Sequence, residues 1–171
     1  MTNLTTITYE QARAIAEQQL KSWSHGDIEL IIFESDIIEK WYGWIFPSTS
    51  KKFYETGDMK YAVLGNCPLF ISKQDGAIAM YSTGYSLESM VEIHEEEFKL
   101  WQLHLDHDIY NNTQLLASLK KCMNLTMADV VKLKSNHSFL VDAGSYNRLL
   151  TVQEKLAGFN IKSTIRKAID I

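Results

Sequence analysis

The chain is poor in the residues that would give its chemistry away. It has two cysteines, Cys67 and Cys122, and neither sits in a CxxC pair. That spacing excludes the usual zinc and dithiol motifs and leaves two reduced, partly buried thiols as the expectation. It has two prolines, and no Pro/Ser-rich stretch joins one part to another. No apolar run approaches the roughly 18 residues a membrane-crossing helix needs. The opening "MTNLTTITYEQARA" has no basic segment followed by an apolar core. It does not read as a secretory signal, so the cytoplasm is the expected compartment. GxxxxGK, GxGxxG, HExxH and GxSxG patterns are all absent, as are internal repeats. No nucleotide, metal or other cofactor is expected.

What is present is an ordinary globular composition. Of 171 residues, 46% are apolar and 22% charged, enough for one full domain or two small ones. Charge is spread unevenly. Residues 1–97 hold 7 Lys/Arg and 15 Asp/Glu, whereas residues 98–171 hold 10 and 6. An acidic front half disfavours phosphate binding and suits a basic partner, whose approach it would speed.

Periodicity then divides the chain. "T-Y-E-Q" at 8–11 is a capping box, with Thr8 and Gln11 satisfying each other's backbone. Ala12, Ile15, Ala16, Leu20 and Trp23 follow at helical spacing, and "SHGD" ends the helix. "IELIIFESDIIEKWYGWIFPSTS" is rich in β-branched and aromatic residues and predicts two strands, about 29–35 and 40–48. "CPLFISKQDGAIAMYS" predicts a hairpin turning at "QDG". "GYSLESMVEIHEEE" predicts a helix with Leu87, Met90, Val91 and His94 inward and Glu88, Glu92, Glu95 and Glu96 outward.

Composition shifts at 97–98. Beyond it come a strand "FKLWQLHLD", a helix "NTQLLASLKKCM", a short helix capped by "T-M-A-D", and a strand "SFLVDAG". A helix "SYNRLLTVQEKLAGF" and a strand "NIKSTIRKAI" complete it. Gly158 is expected to stop that helix in a left-handed conformation. The expected architecture is α+β. A small antiparallel sheet with covering helices occupies residues 1–97, and a β-α-α-β-α-β domain occupies 98–171.

Three clusters could carry chemistry. Cys67 in "GNCPLF" would need a base, and His94 is the nearest histidine. No catalytic signature surrounds it, and a cysteine at the start of a strand accounts for it. His104, Asp106 and Asp108 in "HLDHD" are hard-metal ligand types, but no second cluster completes a site. The acids of "HEEEF" at 94–98 fall at the end of an exposed helix and suit a solvated or partner-binding face better than acid–base work. Lys120, Lys121, Lys132, Lys134, Lys162, Arg166 and Lys167 are basic with few accompanying aromatics, which disfavours nucleic acid. Aromatics instead crowd residues 41–85: Trp41, Tyr42, Trp44, Phe46, Phe53, Tyr54, Tyr61, Tyr81 and Tyr85. Rings with a polar handle are favoured at interfaces.

From Thr8 to Glu92 the chain resembles the immunity protein 35 family of bacterial polymorphic toxin systems. The resemblance is carried by "ITYEQARAIAEQQL", "IIEKWYGWIF", "YETGD", "LGNCPLFISKQDGAI" and "STGYSLESMVE". It implies a small α+β domain that binds and neutralises a cognate toxin without catalysis. From Lys99 to Arg166 the chain resembles the C-terminal domain of the ribosomal stalk protein. "LLASLKKCMNLTMADVVKLK" parallels that domain's paired helices, and "NRLLTVQEKLAGFNIKSTI" its last helix and strand. The glycines flanking the stalk domain's factor-binding helix are missing here, so this resemblance implies the fold rather than factor binding.

The expected function is therefore an immunity protein that covers its toxin's active site or substrate groove. Trp41, Tyr42, Tyr54 and Tyr85 are the expected anchors, and Asp58, Glu88, Glu92 and Glu95 the acids that meet a basic surface. Ala12, Ile15, Met90 and Val91 are expected in the core. The competing reading is a chaperone-like or adaptor protein with several clients.

Overall fold

In the computed structural model, which describes residues 6–63 and 65–168, the chain divides into two compact units, residues 1–86 and 87–171. The division falls before the helix at 87–97, not after it.

The first unit opens with α1, Tyr9–Trp23. Thr8 Oγ1 accepts from the Gln11 N–H at 3.3 Å, and the Gln11 side chain accepts from the Thr8 N–H at 2.8 Å. Ala12, Ala16 and Leu20 are buried, and Ile15 and Trp23 pack half-buried beside them. The small residues let the helix lie close on the strands beneath. Burying Leu20 contributes about 2 kcal/mol.

The two strands expected between 29 and 48 are four short ones. These are β1 (Leu30–Ile32), β2 (Ile38–Lys40), β3 (Gly43–Phe46) and β4 (Ser48–Ser50). Glu34–Asp36 form a turn of 3-10 helix that breaks the first run. Pro47, with no N–H of its own, interrupts the second. β1 pairs with β4, while β2 and β3 join β5 (Leu69–Ser72) and β6 (Ile78–Ala79) in an antiparallel sheet ordered β2-β3-β5-β6. The β5–β6 hairpin turns through Gly76 at φ 73°. Trp44, Phe46, Leu69 and Ile71 from this sheet meet α1 in the core.

Position 43 has no room for a side chain unless the strands shift. Gly43 pairs with Ser72, and a Cβ there would lie 2.3 Å from the Ile71 carbonyl oxygen. After β4 comes a short helix the periodicity did not suggest, α2 (Lys51–Thr56). Buried Ser50 caps it, accepting from the Phe53 N–H at 3.1 Å and donating to the Tyr61 carbonyl. Gly57, left-handed at φ 67°, ends it. Asp58 then starts a 3-10 turn over Met59–Tyr61.

The second unit consists of α3 (Leu87–Glu97), β7 (Trp101–Leu105), α4 (Thr113–Met123), α5 (Met127–Ser135), β8 (Leu140–Gly144), α6 (Tyr146–Ala157) and β9 (Ser163–Lys167). From β7 onward the order is β-α-α-β-α-β. The sheet is antiparallel and ordered β8-β7-β9. Its core joins Leu103, Leu105, Ile109 and Tyr110 with Leu119 of α4 and Leu149 and Leu156 of α6. Thr126 and Asp129 cap α5 reciprocally, and Val130 is its buried residue. Gly158 departs from expectation. Its φ is −60°, and the left-handed residue lies two positions on, at Asn160 with φ 59°.

Placing α3 in the second unit removes most of the charge asymmetry. Residues 1–86 carry 7 Lys/Arg and 10 Asp/Glu, and residues 87–171 carry 10 and 11.

Candidate functional site

Around Tyr54 the first unit offers a surface where a ring, acids and an apolar floor meet. Arg13 projects from α1 and is gripped by two carboxylates. Its Nη1 and Nη2 donate to Glu34 at 3.1 and 2.5 Å, and its Nε donates to Glu17 at 2.9 Å. The fork geometry ties α1 to the 3-10 turn after β1 and holds the Arg13 pKa above its ordinary value. Two carboxylates against one guanidinium leave the surface net negative. Beside it lies an open pocket of about 350 Å³ floored by Leu20, Leu30 and Ile32 and edged by Glu17, Glu34 and Tyr54. Tyr54, on α2, is 58% exposed. Its ring meets Phe33 edge-on at 6.0 Å, which fixes its direction without covering it.

The other expected contact residues are dispersed. Trp41 and Tyr42 form the β2–β3 turn, half-buried and edge to face at 5.4 Å. Asp58 is exposed, accepts from the Lys60 N–H at 3.1 Å and pairs with its ammonium at 2.8 Å. Those two contacts hold its pKa below the ordinary value. Tyr85 is 53% exposed in the loop before α3. Glu88 and Glu92 lie on α3, hence in the second unit, and are exposed.

Glu95 corrects the helical reading. Expected to face outward, it is 5% exposed, and its Oε2 accepts from the Tyr146 N–H at 3.1 Å. Glu96, also expected outward, accepts from the Ser145 N–H at 2.9 Å and from Arg148 Nε at 2.8 Å. α3 therefore has neighbours on its apolar face and on part of its acidic face. The inward half of the prediction fares better. Met90 and His94 are buried, and Leu87 and Val91 are half-buried. Burial lowers the His94 pKa to about 4, against the opposing pull of Glu97.

The remaining candidate clusters disperse too. His104 contacts Gln102 at 3.0 Å, Asp106 accepts from Thr164 at 2.7 Å, and Asp108 pairs with His137 at 3.3 Å. Among the described residues no three His, Cys, Asp or Glu side chains gather as metal ligands would. Cys67 is half-buried, its sulfur 4.0 Å from the Gly65 carbonyl oxygen, while His94 belongs to the other unit. No helix among the described residues is long and apolar enough to cross a membrane.

No local sequence pattern joins Glu34 to Arg13 and Glu17, because their meeting depends on the 3-10 turn. A surplus of acids on and just after α1 was the available signal.

Comparison with known proteins bears on the same region. Residues 10–93 match the family model described as immunity protein 35. "Uncharacterized protein YrhB" of Escherichia coli (strain K12) is 32% identical over 89 residues, which are 52% of this chain and 89% of that protein. No solved structure matches the chain.

Proposed function

The chain belongs, through residues 10–93, to the immunity protein 35 family, and from that membership we propose that it neutralises a cognate bacterial toxin by stoichiometric binding. The toxin's active site or substrate groove is covered, and no bond is made or broken by this chain. Family membership is the observation that carries the reading.

The surface around Tyr54 supports a specific contact set. Tyr54 supplies an exposed, oriented ring, and the neighbouring pocket accepts an apolar side chain or the stem of a lysine or arginine. Glu17 and Glu34 offer that cation carboxylates, and the ring face offers cation–π attraction. Tyr85 and Asp58 extend the set within the first unit. Trp41 and Tyr42 contribute half-buried rings, whereas Glu88 and Glu92 belong to the second unit and are not counted in this set. Acids at a rim raise the association rate more than the final affinity, so binding to a basic surface is expected to weaken with salt.

The test is co-expression with the product of the neighbouring gene, which this reading expects to be the toxin. Rescue of growth together with a one-to-one complex that survives purification is the expected result. Absence of both would overturn the reading.

A further inference from the structure

The family match ends at residue 93, inside α3. Yet α3 belongs to the second unit. The Escherichia coli relative has 89% of its length inside the matched segment, which leaves too little chain for a unit like residues 87–171. The helix in which the match ends therefore lies here in a unit that the shorter relative has too little chain to build.

Within that unit α3 meets the start of α6. The first N–H groups of a helix need acceptors from outside its own ladder. The N-cap of α6, Ser145, makes no side-chain cap hydrogen bond. The acceptors come from α3 instead: Glu96 for the Ser145 N–H and Glu95 for the Tyr146 N–H, while Glu92 accepts from the side-chain amide of Asn147. Arg148 closes the arrangement by bridging Glu96 and Asp142, with Nε and Nη1 donating at 2.8 and 2.6 Å. Gly144, at the end of β8, makes the approach possible. A Cβ there would lie 2.1 Å from Glu96 Oε2 and 2.4 Å from Arg148 Nη2. Met90 and His94 are buried in the same unit.

We infer that α3 is a captured helix. The helix in which the family match ends folds in this protein as part of the second unit, and Glu95 and Glu96, just past that match, serve as the cap of α6. The inference stands apart from toxin binding and does not need a toxin to be tested.

Hydrogen exchange on the full chain, read by mass spectrometry, separates the possibilities. Three variants are compared with wild type: Glu96→Gln and Arg148→Ala in the proposed cap, and Gly43→Ala in the first unit. Glu96→Gln keeps the shape of the side chain and carries the test if Arg148→Ala does not accumulate. In Glu96→Gln, α3 and the first turn of α6 are expected to exchange together about tenfold faster, with β3 and β5 within about twofold of wild type. In Gly43→Ala, β3 and β5 are expected to speed up while α3 stays within about twofold. An α3 that exchanges together with β3 and β5 in either variant, or that ignores Glu96→Gln, would overturn the inference.

Discussion

Replacing Gly43 by alanine sets a methyl group against a carbonyl of the neighbouring strand. The added carbon would sit 2.3 Å from the Ile71 oxygen and 3.1 Å from its carbonyl carbon. A comfortable C···O approach is about 3.3 Å, so β3 and β5 must part locally by about 1 Å. Both atoms met are backbone, and no rotamer change can relieve them. The strands are paired from Gly43 to Phe46, and the adjacent Trp44 and Ile71 are 5% and 1% exposed. Overfilling a core costs about 1–3 kcal/mol, and each weakened ladder bond adds about 1 kcal/mol. The expected loss is therefore about 3–4 kcal/mol. A unit of this size has a total stability of roughly 4–13 kcal/mol. Urea unfolding followed by tryptophan fluorescence measures the loss, because Trp23, Trp41 and Trp44 lie in the first unit. With a urea slope of about 1–2 kcal/mol/M, the midpoint should fall by at least about 1.5 M. Gly57→Ala is the control. Gly57 has φ 67° with nothing within 4 Å, so only the backbone preference of about 1 kcal/mol is lost. If Gly43→Ala costs no more than Gly57→Ala, the steric account of this glycine is wrong.

Three further outcomes are expected. Ser50→Ala removes the α2 cap and leaves the Tyr61 carbonyl without its donor, so it should cost about 2 kcal/mol in the same urea assay. A loss below about 0.5 kcal/mol would mean that the Ser50 hydroxyl has no energetic role. Acid should weaken the second unit in two stages. The folded-state pKa of His94, about 4, lies below the ordinary 6.5, so the unfolded chain takes up the proton first and stability falls as pH drops from about 6.5 to 4, by up to about 3 kcal/mol. Burial pushes Glu96 up, but hydrogen bonds from Lys99, Arg148 and the Ser145 N–H outweigh it and hold the group at about 2, so its contribution goes between pH 4.5 and 2. Denaturation midpoints at pH 7, 5.5 and 4.5 test the first stage, which His94→Leu should flatten. Tyr54→Ala should weaken the proposed toxin complex at least about tenfold while moving stability by less than about 0.5 kcal/mol. Isothermal titration and urea unfolding of the same variant separate the two effects.

The elements most legible in the sequence were those whose signals are local. The Thr8–Gln11 box, the Thr126–Asp129 cap and the Gly76 turn each rest on residues within a few positions of one another, and each is present. Apolar spacing likewise placed Ala12, Ala16 and Leu20 inward. The run from 29 to 48 was harder, because β-branched richness signals strand without saying where one ends. Its break needed the 3-10 turn at 34–36 and the missing donor of Pro47. The acids of α3 misled for a different reason. Helical periodicity separates apolar from polar faces but does not say that a carboxylate will be buried against another helix's N–H groups. The cluster of Arg13, Glu17 and Glu34 joins positions 21 residues apart, beyond any local pattern.

Gly144 carries a consequence for comparing related chains. An approach of 2.1 Å between a hypothetical Cβ and the Glu96 carboxylate means that a side chain at 144 would push the Glu96 carboxylate and the Arg148 guanidinium off their present hydrogen bonds, so the cap as built here favours glycine. In longer homologues the two positions should therefore change together: glycine with an acid, or a larger residue with its loss. Homologues that stop shortly after residue 93 owe nothing to that rule, and the position of Glu96, where they have one, should drift freely. Two aligned columns of sequence would then suffice to sort chains with a captured helix from those without.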